Sequence, residues 1–209
     1  MNLTTIIVTR NKACHVKTLH TVLRLNLICM HGNHHHNIHF VNDDPFERAE
    51  AIMKHLKTSE RILFIDYSVF IDHPTCDKVF AKFEGHNGLV FPCVKDGVDW
   101  EAFKKRTGEP FDQRALEFDT TVGPKVSDSL YKLQKTNPKC WVLECKPVIK
   151  ALRDRKGEGI KLPAKNSEMF DKLVERGLKI YVWTAARLTV TYPYECISNI
   201  LESAGVKTS

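Results

Sequence analysis

Strand-like and helix-like patterns alternate through the first half of the chain, and this alternation limits the possible folds more than any other feature. Short apolar runs predict four strands, at residues 3–9, 37–42, 61–66 and 88–93. Segments with apolar residues at three- and four-residue spacing lie between these runs and predict helices. Successive parallel strands joined in this way have right-handed crossovers. The sequence therefore predicts an α/β fold with a largely parallel sheet flanked by helices.

Capping residues and apolar spacing locate the first three helices. The first covers about residues 14–30, and one face carries six apolar residues that we expect to be buried: Val16, Leu19, Val22, Leu23, Leu27 and Met30. The second helix begins after Asp43 or Asp44, with Pro45 at its first position. The third opens at residues 72–74, Asp-His-Pro.

The second half of the chain is less regular. Strands are predicted at residues 140–144 and 178–183, and helices at 99–106, 148–155, 167–176 and 194–204. Residues 117–138 are polar and mixed, with turn signals at Gly123-Pro124 and Asn137-Pro138, and residues 157–165 predict a loop. Because no linker interrupts the pattern, we expect residues 1–209 to form a single domain.

Charge and composition narrow the possible partners. The formal net charge of +6 suits anionic ligands such as phosphates and nucleotides. The basic residues are dispersed, which disfavours a nucleic-acid groove. No apolar run is long enough to span a bilayer, and the N-terminal stretch lacks the features of a signal peptide. We therefore expect a cytoplasmic protein without a membrane span.

Cysteines and histidines are numerous enough to raise the question of disulfide bonds or a metal site. The seven cysteines are odd in number and include no CxxC pair, which argues against a disulfide framework or a zinc ribbon. Five histidines between residues 31 and 39 could bind a transition metal. Neighbouring side chains on an extended strand point to opposite faces. We therefore interpret this cluster as a surface turn at Gly32-Asn33 that leads into a strand.

Polar side chains follow three predicted strands at the point where each strand ends. These residues are Thr9 and Arg10, then Asp43 and Asp44, then Asp66, Tyr67 and Ser68. Ligands of open α/β sheets bind beyond the carboxyl ends of parallel strands. Carboxylates can hold Mg²⁺ or Mn²⁺ against a diphosphate, and a guanidinium can pair with phosphate oxygens. The chain lacks a GxxxxGK[ST] loop and a GxGxxG turn, which argues against P-loop nucleotidases and dinucleotide-binding dehydrogenases.

Residues 65–74, Ile-Asp-Tyr-Ser-Val-Phe-Ile-Asp-His-Pro, combine the end of an apolar strand, an acid, a short apolar strand and an Asp-His-Pro helix start. This segment resembles the stretch around the DxD motif of the nucleotide-diphospho-sugar glycosyltransferase family with the GT-A fold, and three further segments resemble that family in the right order. Residues 8–11 resemble its opening strand, and residues 40–44 resemble its second strand with a terminal acid. Residues 166–188 resemble its acceptor-side helix, glycine and strand. Three differences are visible. Ser68 replaces the second acid of DxD, only Glu168 keeps a carboxylate where the family has a Glu-Asp-x-Asp pattern, and no histidine follows His86.

The resemblance implies a role for each candidate residue. Asp66 and Ser68 would bind Mn²⁺ or Mg²⁺, and the nucleotide would contact Thr9, Arg10, Asp43, Asp44, Asp66 and Tyr67. Glu168 would be the catalytic general base, with Asp171 as the reserve candidate. Ordinary structural roles remain open, because an Asp before Pro45 can simply cap a helix. A carboxylate in a first helical turn, such as Glu168, also favours the helix dipole.

The function implied by this resemblance is transfer of a sugar from a nucleotide-diphosphate sugar to an acceptor hydroxyl on a glycan or a protein. Residues 1–100 would bind the donor, and residues 101–209 would form the acceptor side. Two alternatives remain. One is a nucleotide-sugar-binding module that has lost catalysis, and the other is a nucleotidyltransferase.

Overall fold

The computed structural model describes residues 1–67, 69–95, 104–106, 108, 116–153 and 159–191. The predicted tail helix at 194–204, most of the predicted helix at 99–106 and the candidate metal ligand Ser68 lie outside these residues. No helix in the described part of the chain is both long and apolar enough to cross a membrane.

The described chain contains ten strands and five helices with defined bounds, and residues 104–105 are also helical. The strands are β1 (Asn2–Thr9), β2 (His35–Asn42), β3 (Arg61–Ile65), β4 (Val69–Ile71), β5 (Gly88–Val90), β6 (Thr120–Ser127), β7 (Leu130–Thr136), β8 (Cys140–Glu144), β9 (Ile180–Trp183) and β10 (Leu188–Val190). The helices are α1 (Val16–His31), α2 (Pro45–Leu56), α3 (His73–Phe80), α4 (Cys145–Leu152) and α5 (Asn166–Glu175).

Eight strands form one sheet in the order β2-β1-β3-β8-β5-β9-β7-β6, and β4 pairs with β10 in a separate ribbon. β1 is parallel to both β2 and β3, and β5 is parallel to β9. Only β7 and β8 run against the other strands of the large sheet. The prediction of an α/β fold with a mostly parallel sheet is therefore confirmed, with β8 as an antiparallel strand inserted between β3 and β5.

Helices cover both faces of this sheet and enclose two apolar layers. On one face α2, α4 and α5 pack against the sheet, and the ring of Phe64 stacks on that of Trp141 with centroids 5.2 Å apart. On the other face α1 and α3 pack around Leu63 and Ile65. Every residue of β3 is buried, as expected for a strand that has helices above and below it.

The buried face predicted for α1 is wrong. Of the six apolar residues expected in the core, only Val22 is buried, and the true buried face is formed by Thr18, Thr21, Val22, Leu25 and Cys29. The threonine hydroxyls explain the difference, because they bond to the backbone of β4. The Thr18 hydroxyl donates to the Val69 carbonyl at 3.0 Å, and the Thr21 hydroxyl accepts from the Ile71 N–H at 3.0 Å. Because β4 is buried, its backbone N–H and carbonyl groups need hydrogen-bond partners, and the two threonine hydroxyls supply them.

The polar region at 117–138 is also more regular than its sequence indicates. β6 and β7 form an antiparallel hairpin, and β7 pairs in turn with β9. The predicted turn at Gly123-Pro124 is wrong, since both residues lie within β6 where its pairing register shifts. β6 is an edge strand of the sheet, where a proline is tolerated. The predicted break at Asn137-Pro138 is confirmed between β7 and β8.

Candidate active site

The loop after β1 is the first component of the site. The Thr9 side chain is buried, and its hydroxyl donates to the Val41 carbonyl at 3.0 Å, which ties β1 to β2. Arg10 then exchanges two backbone hydrogen bonds with Ala13, and the two residues that follow Arg10 have positive φ angles of 50° and 59°. This tight turn holds the Arg10 side chain at the carboxyl edge of the sheet.

Arg10 connects the ends of three strands. Its Nε lies 2.8 Å from Oδ2 of Asp43, which follows β2, and its guanidinium lies 5.0 Å from the ring centre of Tyr67, beyond β3. The other oxygen of Asp43 is 3.5 Å from Arg48 Nη1 on α2. The structure therefore brings Arg10, Asp43 and Tyr67 together, as expected for strand ends at one edge.

Asp44 caps α2, which is the structural alternative that the sequence left open. Its Oδ1 accepts hydrogen bonds from the backbone N–H groups of Phe46 and Glu47, both at 2.9 Å. An N-cap of this kind stabilises a helix by about 1 kcal/mol. A nucleotide contact by Asp44 stays a prediction, and Asp43 is the neighbour whose side chain points toward Arg10.

Asp66 directly follows β3 and is partly buried. Among the described residues its carboxylate accepts one hydrogen bond, from the N–H of Tyr67 at 2.8 Å. Burial raises the pKa of the Asp66 carboxyl above its usual value, and the Tyr67 N–H and the charge of Arg48 offset only part of this rise. Among the described residues, the charged form of Asp66 is thus only partly compensated, and a carboxylate of this kind can accept an added cation.

Asp119 is a further acid at this edge, and sequence reasoning did not find it. It is buried and accepts hydrogen bonds from the Cys93 N–H at 3.1 Å, the Lys139 N–H at 3.0 Å and the Thr120 hydroxyl at 2.8 Å. The Lys139 carbonyl in turn accepts from the N–H of Asp66 at 2.8 Å. Asp119 therefore positions the backbone that holds Asp66. A single acid before two threonines in a polar region gave little signal of this role.

The predicted catalytic residues Glu168 and Asp171 lie on α5. The helix begins at the same edge, because Asn166 Nδ2 donates to the Pro138 carbonyl at 3.3 Å, one residue before Lys139. Both acidic side chains are exposed, and Glu168 Oε1 lies 3.4 Å from Lys165 Nζ. Within the described part of the chain, no contact joins either acid to Asp66. Their catalytic roles stay predictions.

The side chains of the described residues do not form a ready-made metal centre. No group of three or more His, Cys, Asp or Glu side chains there is arranged to hold a metal ion. In the histidine cluster the side chains diverge: the His34 ring stacks on Phe80, His36 bonds to the Thr5 hydroxyl at 2.9 Å, and His39 packs on His55. The turn at Gly32-Asn33 before β2 is confirmed.

A groove of about 730 Å³ lies between β2 and α2. Its lining includes Thr9 and Asn42, the residues just before Arg10 and Asp43, and Glu47, Glu50 and Lys54 of α2. The groove therefore extends the edge that carries Arg10 and Asp43. Asp66 does not line it.

Comparisons with known proteins address the fold. No protein-family model matches the chain, and no curated protein matches its sequence. Among solved structures, A197 from STIV matches with a TM-score of 0.55 at 10% identity, over 92% of this chain and 87% of that one. Residues 1–349 of S. aureus TarS match with a TM-score of 0.52 at 15% identity, over 97% of this chain and 64% of theirs.

A third match has ligands in its crystal. It is a mutant of Drosophila β1,4-galactosyltransferase 7 in complex with manganese, UDP-Gal and xylobiose, with a TM-score of 0.52 at 12% identity over 93% of this chain and 72% of that one. Identities this low show architecture alone. The strand order, the flanking helices and these matches show that the chain has a GT-A-like fold.

Proposed function

We propose that the chain transfers a sugar from a nucleotide-diphosphate sugar to an acceptor hydroxyl on a glycan or a protein. The observation that carries this proposal is the convergence of Arg10, Asp43, Tyr67 and Asp66 beyond three parallel strands. A guanidinium can bind a diphosphate, an aromatic ring can contact a nucleotide, and a carboxylate with a raised pKa can bind a cation, and all three lie at one sheet edge. In this proposal residues 1–100 bind the donor and residues 101–209 form the acceptor side.

Asp66 fits a divalent cation. Its carboxylate is partly buried, accepts one hydrogen bond among the described residues and has a raised pKa. Mg²⁺ in nucleotide sites is commonly bound by one or two carboxylates together with substrate phosphates and water. One protein carboxylate can therefore suffice, with Ser68 as the second predicted ligand. A bound Mn²⁺ or Mg²⁺ would supply positive charge to the departing nucleoside diphosphate.

The other residues act through charge and position. Arg10 is held by Asp43 and faces the edge where the diphosphate would bind, so its guanidinium can stabilise the phosphate oxygens. Tyr67 offers its ring beside Arg10 for contact with the nucleotide. Glu168 would remove the proton of the acceptor hydroxyl, with Asp171 one turn further along α5 as the alternative base.

Thermal unfolding with a set of nucleotide-diphosphate sugars, with and without Mn²⁺, tests the donor site. A ligand at ten times its dissociation constant adds about 1.4 kcal/mol of stability, which is roughly 3–6 °C in Tm for a chain of this size. We expect a shift with one base, enlarged by Mn²⁺ and lost in Asp66→Asn. Asp77→Asn is the matched control, because Asp77 is an exposed acid on α3. No shift with any nucleotide would overturn the proposal.

Analysis of the reaction products distinguishes a glycosyltransferase from a nucleotidyltransferase. A glycosyltransferase releases nucleoside diphosphate from the donor when an acceptor is present. A nucleotidyltransferase instead releases pyrophosphate from a nucleoside triphosphate and a sugar phosphate.

A binding module without turnover is the second candidate. The finding in its favour is that no three or more His, Cys, Asp or Glu side chains of the described residues are grouped so that they could hold a metal ion. A Tm shift with a nucleotide sugar, combined with no release of nucleoside diphosphate across a panel of acceptors, would support this candidate over catalysis.

A further inference from the structure

Helix α1 presents apolar side chains to solvent on the face opposite its buried face. Five large residues on this face are between 41% and 69% exposed: Val16, Leu19, Leu23, Leu27 and Met30. With 3.6 residues per turn, they fall within an arc of about 80° on the helix surface. We call these five residues the α1 stripe. A continuous apolar stripe on a surface helix marks an interaction site more often than scattered apolar residues do.

Positive and titratable side chains lie along one flank of the α1 stripe. Lys17, His20, Arg24 and His31 follow one another on that flank, and α1 contains no Asp or Glu. The only acidic side chain described on α3, the helix packed beside α1, is Asp77, which pairs with His73 at 3.0 Å. The surface around the stripe therefore favours an anionic partner.

A groove of about 550 Å³ separates α1 from the start of α3. Leu23 and Leu27 from the stripe line it together with Arg24, His31 and His73. Apolar and cationic groups thus share one recess, which offers contact to an apolar chain and to an anionic headgroup at the same place.

We infer that the α1 stripe and its basic flank form a docking surface for an anionic lipid bilayer. The helix lies flat at the membrane interface, with the five apolar side chains in the acyl boundary and Lys17 and Arg24 at the headgroups. α1 begins at Val16, after the loop that follows the carboxyl end of β1. Docking through α1 would therefore hold the carboxyl edge of the sheet close to the lipid surface. This inference does not depend on the proposed transferase activity.

Sedimentation of the full chain with lipid vesicles tests the inference. We expect binding to vesicles that contain phosphatidylglycerol, and much weaker binding to vesicles of phosphatidylcholine alone. Binding should decrease as salt rises, because screening weakens attraction to anionic headgroups. Leu23→Gln/Leu27→Gln should weaken binding by about tenfold or more, since two apolar side chains leave the interface. Lys17→Glu should weaken binding to the anionic vesicles.

Phe46→Gln is the matched control, because Phe46 is exposed on α2, against the opposite face of the sheet. It should bind vesicles as the wild type does. Absence of binding to anionic vesicles, or equal loss in Phe46→Gln, would overturn the inference.

The Tm and the oligomeric state of the double variant show whether the chain itself or a second copy of the chain covers the α1 stripe. Gln and Leu have similar helix propensities, so the double variant should keep the wild-type Tm if the stripe is exposed to solvent. A fall in Tm of several degrees would show that the chain covers its own stripe. Conversion of a wild-type dimer into a monomer by the double variant would show that a second copy covers it. Either outcome would overturn membrane docking.

Discussion

Arg10 Nε lies 2.8 Å from Asp43 Oδ2, and this ion pair joins the turn after β1 to the residue that follows β2. Arg48 approaches the second oxygen of the same carboxylate at 3.5 Å. Asp43 therefore holds Arg10 over the Tyr67 ring and keeps its guanidinium in position before any ligand binds. Positioning of this kind lowers the entropy lost on binding.

Arg10→Ala should separate stability from ligand binding. The Arg10–Asp43 pair is partly exposed, so its loss should change the free energy of unfolding by less than about 1 kcal/mol. Loss of a charge-assisted hydrogen bond to phosphate should weaken nucleotide binding by about tenfold or more. Calorimetric titration and thermal unfolding measure the two effects, with the exposed Lys57→Ala at the far end of α2 as control. Unchanged affinity would remove Arg10 from the site.

Asp66→Asn should make the protein more stable in the absence of metal. The pKa of Asp66 is raised in the folded state, so its contribution to stability is fully present below the unfolded pKa of about 3.9 and is lost as pH rises through the folded pKa. Asparagine does not ionise and can still accept from the Tyr67 N–H. The Tm of the variant should therefore exceed that of the wild type at pH 7, and the difference should shrink toward pH 4.

The same two proteins should respond differently to added Mn²⁺. The ion should raise the Tm of the wild type and leave the Tm of Asp66→Asn unchanged, because the variant lacks the negative charge. A wild type that remains more stable than the variant at pH 7 without metal would show that the Asp66 carboxylate is well compensated by the protein itself.

Asp119→Ala should destabilise the protein, in contrast to Asp66→Asn. The substitution removes the acceptor used by the N–H groups of Cys93 and Lys139, and it should cost about 1–3 kcal/mol in the free energy of unfolding. Metal-dependent stabilisation should also weaken, since the Lys139 carbonyl holds the Asp66 backbone. Chemical denaturation measures the first effect. Asp128→Ala, at a fully exposed acid, should leave both quantities unchanged.

Gly88→Ala tests the packing of β5 against β8. A Cβ at this position would overlap Cδ2 of Leu143 and come within 2.9 Å of the Val142 carbonyl oxygen, which is backbone and cannot move away easily. We expect a loss of about 1–3 kcal/mol in stability, measured by denaturation. Gly159→Ala is the control, because a Cβ added there would meet nothing within 4 Å. Equal stability of the two variants would contradict this packing.

The edge that carries the candidate site could be predicted because it follows from topology. Once strands and helices alternate, the carboxyl ends of parallel strands must meet, and Arg10, Asp43 and Asp66 come directly after such strands. That inference needs no knowledge of side-chain packing. The location of these residues was therefore accessible from the sequence, whereas their functions stay predictions.

Features that depend on a distant partner could not be predicted in this way. The buried face of α1 is set by the bonds of Thr18 and Thr21 to β4, a strand about fifty residues later in the chain. The polar strand β7 joins the large sheet through its pairing with β9, a strand more than forty residues later in the chain. The structural role of Asp119 comes from the hydrogen bonds that its carboxylate accepts from the backbone N–H groups of Cys93 and Lys139. These three residues lie about twenty or more positions apart in the sequence, so their contact could not be predicted.

The insertion of β8 between β3 and β5 also has a consequence for how the chain is made. Ile62 on β3 pairs with Leu143, which leaves the ribosome much later. At typical rates of synthesis this delay lasts about 4–16 seconds, during which β3 exposes an unpaired apolar edge. A ribosome-bound nascent chain that ends before β8 should therefore depend on chaperones, and the sheet should close only after residues 140–144 emerge.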